Sequence, residues 1–205
     1  MAIEFPNTVF SHVPKTAGRT IRHALVQAFQ GRFIAVGDDA FHHGAHFPIF
    51  ANEFEKQHFI HTCHDKALFA FVRRPDEWLR SLFYQRQRKG WNWQPNAWEQ
   101  DTKAEDLNVF AENWLDNRNY VWSYMHYHAT MGFSGLKWTP LRKEHMVSDL
   151  LKFLDRHDES YDPTAITKMD DWVVGAITGT NKPIIDSEIA LAICENEPKL
   201  MELYE

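Results

Sequence analysis

Two short segments of this chain carry residues whose types and spacing could do chemistry. The first, Pro14-Lys15-Thr16-Ala17-Gly18-Arg19-Thr20, joins an apolar stretch to a helical pattern. Small residues and a glycine let backbone N–H groups turn toward an anion, and the start of a helix adds positive potential. Lys15 supplies a mobile point charge, and the hydroxyls of Thr16 and Thr20 supply donors. Alone, the segment reads equally well as a strand-to-helix turn with an exposed lysine. The lysine precedes the glycine, so the Gly-x-x-x-x-Gly-Lys-Ser/Thr spacing of nucleoside-triphosphate loops is absent. That disfavours an ordinary kinase or ATPase.

The second segment is Val72-Arg73-Arg74-Pro75-Asp76-Glu77-Trp78-Leu79-Arg80-Ser81. Arg73 stands where a strand pattern ends, and Ser81 falls about two turns into the helix that Pro75 opens. A guanidinium fork matches phosphate oxygens, and a serine hydroxyl can complete the contact. The competing assignment pairs the arginine with nearby Asp76 or Glu77.

Taken together, the two segments resemble the donor-binding elements of sulfotransferases that use 3′-phosphoadenosine 5′-phosphosulfate (PAPS). Lys15 to Thr20 is similar to the family's 5′-phosphosulfate loop, and Arg73 with Ser81 eight residues on is similar to its 3′-phosphate element. The stretch Phe69 to Phe83 resembles small microbial carbohydrate-type members. So does Arg142 to Leu150, which is similar to the family's Arg-x-Glu-x-Leu-x-x-Asp-Leu segment, and Asn181 stands where members carry an asparagine. Arg74 departs from the commoner Arg-Asp-Pro or Arg-Asn-Pro pattern. The resemblance implies PAPS as donor and adenosine 3′,5′-bisphosphate (PAP) as product. Lys15 is then catalytic, and Lys15, Thr16, Ala17, Gly18, Arg19, Thr20, Arg73 and Ser81 bind the donor. The implied acceptor is a saccharide or another small hydroxylated metabolite. The alternatives are a nucleotide-binding protein of the same fold without transfer activity, or a nucleotide-dependent kinase.

A hydroxyl acceptor also needs a general base. His42, His43, His46, His61 and His64 all precede the Arg73 strand. Gly44-Ala45-His46-Phe47-Pro48 looks like a family Gly-His segment, which makes His46 the first choice, with His43, His61 and His64 in reserve. His42 and His46 are four apart and His61 and His64 three apart, a spacing that also suits metal ligands on one helix face. No His-Glu-x-x-His motif or completing carboxylate accompanies them, so no metal is expected.

The elements that must position these groups follow from the apolar pattern. Thr8 to Val13 reads as a buried strand, residues 19 to 29 as a helix with Ile21, Leu25 and Phe29 on one face, and Phe33 to Val36 as a strand. Leu68 to Val72 reads as a strand buried on both faces. Pro75, Asp76 and Glu77 mark a helix start. Phe41 to His64 reads as a helix and then an extended stretch, 90 to 106 as a loop, and 107 to 117, 147 to 157 and 186 to 203 as helices. Arg86, Arg88 and Lys89 read as a solvated helix end or as a basic edge for the acceptor. Alternating strands and helices predict an α/β chain with a central parallel sheet covered on both faces. With the resemblance, this becomes a P-loop-like three-layer sandwich, one domain over 1–205. Ligands of such sheets bind beyond the carboxyl ends of the strands.

Composition excludes several classes. The net charge of −6 lacks the basic excess of a general nucleic-acid binder. Two cysteines, Cys63 and Cys194, are too few for a disulfide framework. No run of about 18 apolar residues is present, so no membrane span is expected. The N-terminal residues lack the pattern of a signal peptide, giving a cytoplasmic expectation.

Overall fold

A three-residue link sets the first departure from an all-parallel sheet. Phe5-Pro6-Asn7 is too short for a crossover, so β1 (Ala2–Glu4) and β2 (Thr8–Ser11) must pair as an antiparallel hairpin. The N–H of Phe5 donates to the carbonyl of Thr8 at 2.8 Å. The computed structural model describes residues 2–36, 52–90, 101–169 and 183–205. After the hairpin come α1 (Gly18–Phe29), β3 (Ile34–Val36), α2 (Glu53–Asp65) and β4 (Ala67–Val72). Then α3 (Pro75–Lys89), α4 (Leu107–Asp116) and α5 (Val121–Thr130) precede β5 (Trp138–Arg142). A 3₁₀ turn (Lys143–His145) leads into α6 (Met146–Arg156), followed by α7 (Pro163–Thr167), α8 (Ser187–Glu195) and α9 (Pro198–Met201). The long C-terminal helix expected over 186–203 is therefore two helices, with Pro198 in the first turn of the second.

Among the described residues the sheet has five strands in the order β3-β1-β2-β4-β5. The β2–β4 and β4–β5 pairs are parallel, whereas β1 is antiparallel to both of its neighbours. The architecture is thus α/β with a mixed sheet: the expected parallel pairing is found among β2, β4 and β5, and the short hairpin makes β1 antiparallel. Among the described residues no helix is long and apolar enough to cross a membrane.

The chain divides into two compact units, each assembled from two separate stretches. One comprises Met1–Val72 and Met125–Thr180, the other Arg73–Tyr124 and Asn181–Glu205. In the first unit, strand alternation sends side chains to opposite faces of the sheet. Ile3, Phe10, Phe69, Phe71 and Leu141 pack against Ile21, Leu25 and Phe29 of α1 and Leu150, Phe153 and Leu154 of α6. Ala2, Val9 and Leu68 pack on the other face against Phe59 and Cys63 of α2. Both faces of β4 are therefore covered, as its continuous apolar run requires.

The second unit holds its own aromatic core. Trp78 of α3 is fully buried, with ring centroids 5.6 Å from Trp114 and 4.8 Å from Tyr124. Phe83 meets Phe110 at 5.6 Å. Much of the chain's aromatic content is thereby accounted for by packing. Arg86 is only 4% exposed, so it is part of this interior and does not belong to a solvated helix end; Arg88 is exposed.

Candidate functional site

Strand β2 delivers the chain into residues 12–17 and then into α1. Val13 and Pro14 are buried and Lys15 is half-buried. Lys15 and Ala17 both adopt left-handed backbone, with φ of 70° and 64°. For residues with a β-carbon this conformation costs about 1–2 kcal/mol each. Such strain persists only where the surroundings enforce it, and it clusters at ligand clamps. Thr16 sits between the two, buried, and its hydroxyl donates to the carbonyl of Val13 at 2.7 Å. That bond braces the loop and commits the donor that the sequence offered to a ligand.

Ala17 is the N-cap of α1, with no side-chain cap and no acidic residue in the first turn. Its carbonyl accepts from the N–H groups of Thr20 and Ile21 at 3.0 and 3.2 Å. The positive end of α1 is therefore formed without a carboxylate of its own, which leaves it suited to an external anion. Arg19 is exposed and Thr20 half-buried in this turn. Replacing Ala17 by glycine removes the β-carbon penalty at φ 64° and adds unfolded-state entropy, so a net gain of up to about 1 kcal/mol is expected in urea denaturation.

Gly18 answers a different demand. It has no positive φ; instead, a β-carbon there would lie 1.8 Å from Cδ2 and 1.9 Å from Nε2 of His12. The imidazole of His12 thus occupies the space above the first residue of α1. Nothing in the spacing of the loop marks His12; its place follows from this contact with the start of α1.

The second group of candidates lies at the start of the second unit. Arg73 donates from Nη2 to Oε2 of Glu77 at 2.7 Å, and Arg80 donates from Nη1 to Oε1 of the same carboxylate at 3.0 Å. The i,i+4 pairing that the spacing allowed is therefore formed. It does not satisfy the guanidinium, because Nε of Arg73 is buried and has no hydrogen-bond partner among the described residues. A buried unmet donor costs about 1–3 kcal/mol, more when charged, and marks a place where a partner fits. Ser81, half-buried, lies on the same stripe of α3 and makes no side-chain hydrogen bond among the described residues. Arg74 is exposed and forks onto Asp76 with two contacts of 3.1 Å.

Burial raises the pKa of Glu77, but the charges of Arg73 and Arg80 and their hydrogen bonds outweigh it, and the net shift is downward from 4.5. The folded pKa lies below the unfolded one. The stability it contributes is therefore complete above the ordinary carboxylate value and lost as pH falls through the folded value. Glu77→Gln should accordingly flatten the acid limb of a stability-versus-pH curve below about pH 4.5. An acid limb identical to wild type would contradict the role assigned to Glu77.

Arg142 and Asp149 form a fork, with Nε–Oδ2 and Nη2–Oδ1 contacts of 2.9 Å. The backbone N–H of Arg142 adds a third bond to Oδ2 at 3.1 Å. This segment thus joins the end of β5 to the first turn of α6. Burial raises the pKa of Asp149, but the bonds and charge of Arg142 bring it below the usual range.

The histidine candidates separate. His61 and His64 are exposed on α2, with Nε2 of His61 3.3 Å from Asp65. His42, His43 and His46 lie outside the described residues, as does Asn181. Among the described residues no group of three His, Cys, Asp or Glu side chains could hold a metal ion. Burial, followed by the charge of Glu4, pushes the Cys63 thiol up to about 12, so it is not a nucleophile at neutral pH. Burial and Asp76 also raise Cys194.

Lys15 to Thr20 are brought together in the first unit, while Arg73 and Ser81 belong to the second. Parallel pairing of Val9 with Leu68 and Phe10 with Phe69 makes β2 and β4 run side by side in one direction. Their carboxyl ends therefore leave the same edge of the sheet, one into the Lys15 loop and the other at Val72. Compared with protein-family models, curated proteins and solved structures, the chain matches none of them.

Proposed function

We propose that this protein transfers a sulfuryl group from PAPS to a hydroxyl or amine of a saccharide or other small metabolite, on a P-loop-like arrangement of β2, β4 and β5. The observation that carries this reading is Arg73, directly beyond β4, whose buried Nε has no hydrogen-bond partner among the described residues. The uncapped start of α1 beyond the parallel neighbour β2 supports it. Bound PAPS supplies the transferable sulfuryl group and a phosphate to leave with; the remaining work is positioning and charge.

In this reading Lys15 neutralises charge at the leaving phosphate oxygen, and the N–H groups of Thr16 to Arg19 hold the 5′-phosphate. Thr20 adds a hydroxyl. Arg73 and Ser81 hold the 3′-phosphate, which distinguishes this donor from ATP or AMP. The general base is sought first at His46, with His43, His61 and His64 behind it. His12 joins them because it belongs to the loop itself.

Calorimetric titration with PAP, ATP and AMP tests the donor assignment. PAP should bind more tightly than AMP by about 10- to 100-fold, the range of one charge-assisted contact set. Equal affinities for the three would overturn the assignment.

A further inference from the structure

We propose that a cavity of about 430 Å³ in the second unit binds a neutral hydroxylated ring, a mono- or disaccharide. Its two walls are Tyr120, Trp122 and Ser123 at the start of α5, and Glu195 to Lys199 at the α8–α9 junction. The volume falls within the roughly 300–1,000 Å³ of small-molecule sites. All of these residues belong to one unit, so the inference is independent of the nucleotide reading.

The walls are tied together by one buried side chain. Glu197 is 3% exposed, and its carboxylate accepts from the N–H of Val121 and, at 3.0 Å, from the N–H of Trp122. Two consequences follow. The start of α5 and the α8–α9 junction are joined directly through this carboxylate. The N-terminus of α5, which would otherwise attract an anion, is already served by a carboxylate, so phosphate or sulfate is disfavoured there.

With the buried Glu197 carboxylate taken up by the two N–H groups of α5, the exposed charges of the lining are one acid and one base. Glu195 and Lys199 are both exposed and opposite in sign, giving neither a cation nor an anion a strong field. Ser123 and Asn196 can each donate and accept. Tyr120, 51% exposed, and Trp122 add aromatic surface. Ring faces carry negative potential and attract polarised C–H groups. A pyranose offers C–H groups on its faces and hydroxyls that both donate and accept around its rim, which matches this set. A quaternary amine would use the rings but leave Lys199 opposed to it.

Saturation-transfer NMR on the full chain, without nucleotide, tests this with methyl α-glucopyranoside, maltose and cellobiose. Choline and sulfate serve as cation and anion probes. At least one saccharide should show saturable transfer, weakened about three- to tenfold in Tyr120→Ala and at least as much in Ser123→Phe, whose ring narrows the cavity. Tyr120 is half exposed and Ser123 exposed, so both variants should melt as wild type does, and either one suffices if the other misfolds. Absence of transfer from all three saccharides, binding by folded variants as strong as by wild type, or preferential binding of choline or sulfate would each overturn the proposal. Because no nucleotide is present, failure here leaves the donor assignment to its own titration.

Discussion

Lys15→Ala is expected to lower turnover with labelled PAPS by about 10²–10³-fold while leaving the fold intact, the effect of removing one preorganised charge stabiliser. The variant is conformationally conservative. Lys15 already sits at φ 70°, and alanine meets the same backbone penalty there as lysine does. The loop's internal brace, the Thr16 hydroxyl on the Val13 carbonyl, does not involve the lysine side chain. In the proposed reaction Lys15 would face a charge that develops only as the phosphate leaves, so its loss should fall mainly on kcat, with PAP affinity changed less. Arg73→Ala should show the opposite split, weakening PAP by about 10- to 100-fold with little change in the chemical step. Turnover of Lys15→Ala near the wild-type rate, in a protein with an unchanged melting curve, would reduce the chain to a nucleotide-binding protein or move its chemistry elsewhere. An unchanged PAP dissociation constant in Arg73→Ala would remove the 3′-phosphate contact from the proposal.

The parts of the fold that were legible in the sequence are those where local pattern and tertiary demand agree. Leu68 to Val72 is apolar at every position because helices cover both sides of β4, and α1 shows its stripe because one face meets the sheet. Proline followed by two acids marked α3 correctly because the first turn of a helix needs neither the lost N–H nor a cation. Other elements left no such signature. Three residues suffice for β1, and its sequence, Ala2-Ile3-Glu4, holds a glutamate whose burial is stabilised by distant partners. Lys66 donates to one oxygen of Glu4 at 2.7 Å and His58 contacts the other at 2.9 Å. In β5, Pro140 argues against a strand unless the strand lies at an edge, where β5 is found among the described residues. The candidate site divides the same way. Lys15, Arg73 and Ser81 could be found by type and spacing. The role of Glu77 as a shared partner of Arg73 and Arg80 depends on which rotamers the helix surface admits, and spacing alone could not choose between Asp76 and Glu77. His12 was hidden because its significance lies in a contact with Gly18, six residues away.

That contact yields the second large effect. Gly18→Ala is expected to destabilise the protein by about 1–3 kcal/mol, since a β-carbon placed 1.8 Å from an imidazole carbon must displace the ring or the helix start. The backbone of Gly18 needs no positive φ, so alanine is otherwise favoured at a helix position over glycine by up to about 1 kcal/mol. These two terms have opposite signs and can be separated. In a His12→Ala background the clash is gone, and Gly18→Ala should become neutral or stabilising. A double-mutant cycle in urea should therefore give a coupling of about 1–3 kcal/mol between two residues whose individual losses do not add. Additive behaviour would mean that the ring swings out of the way at no cost, and that His12 does not define the loop. The functional half of the cycle follows from the same geometry. If His12 fixes the path from β2 into α1, both single variants should weaken PAP binding, and the double variant should recover stability without recovering affinity. The β-carbon then fits, but the ring that held the left-handed turn at Lys15 and Ala17 in place is missing. Stability and affinity would thus part company at one glycine.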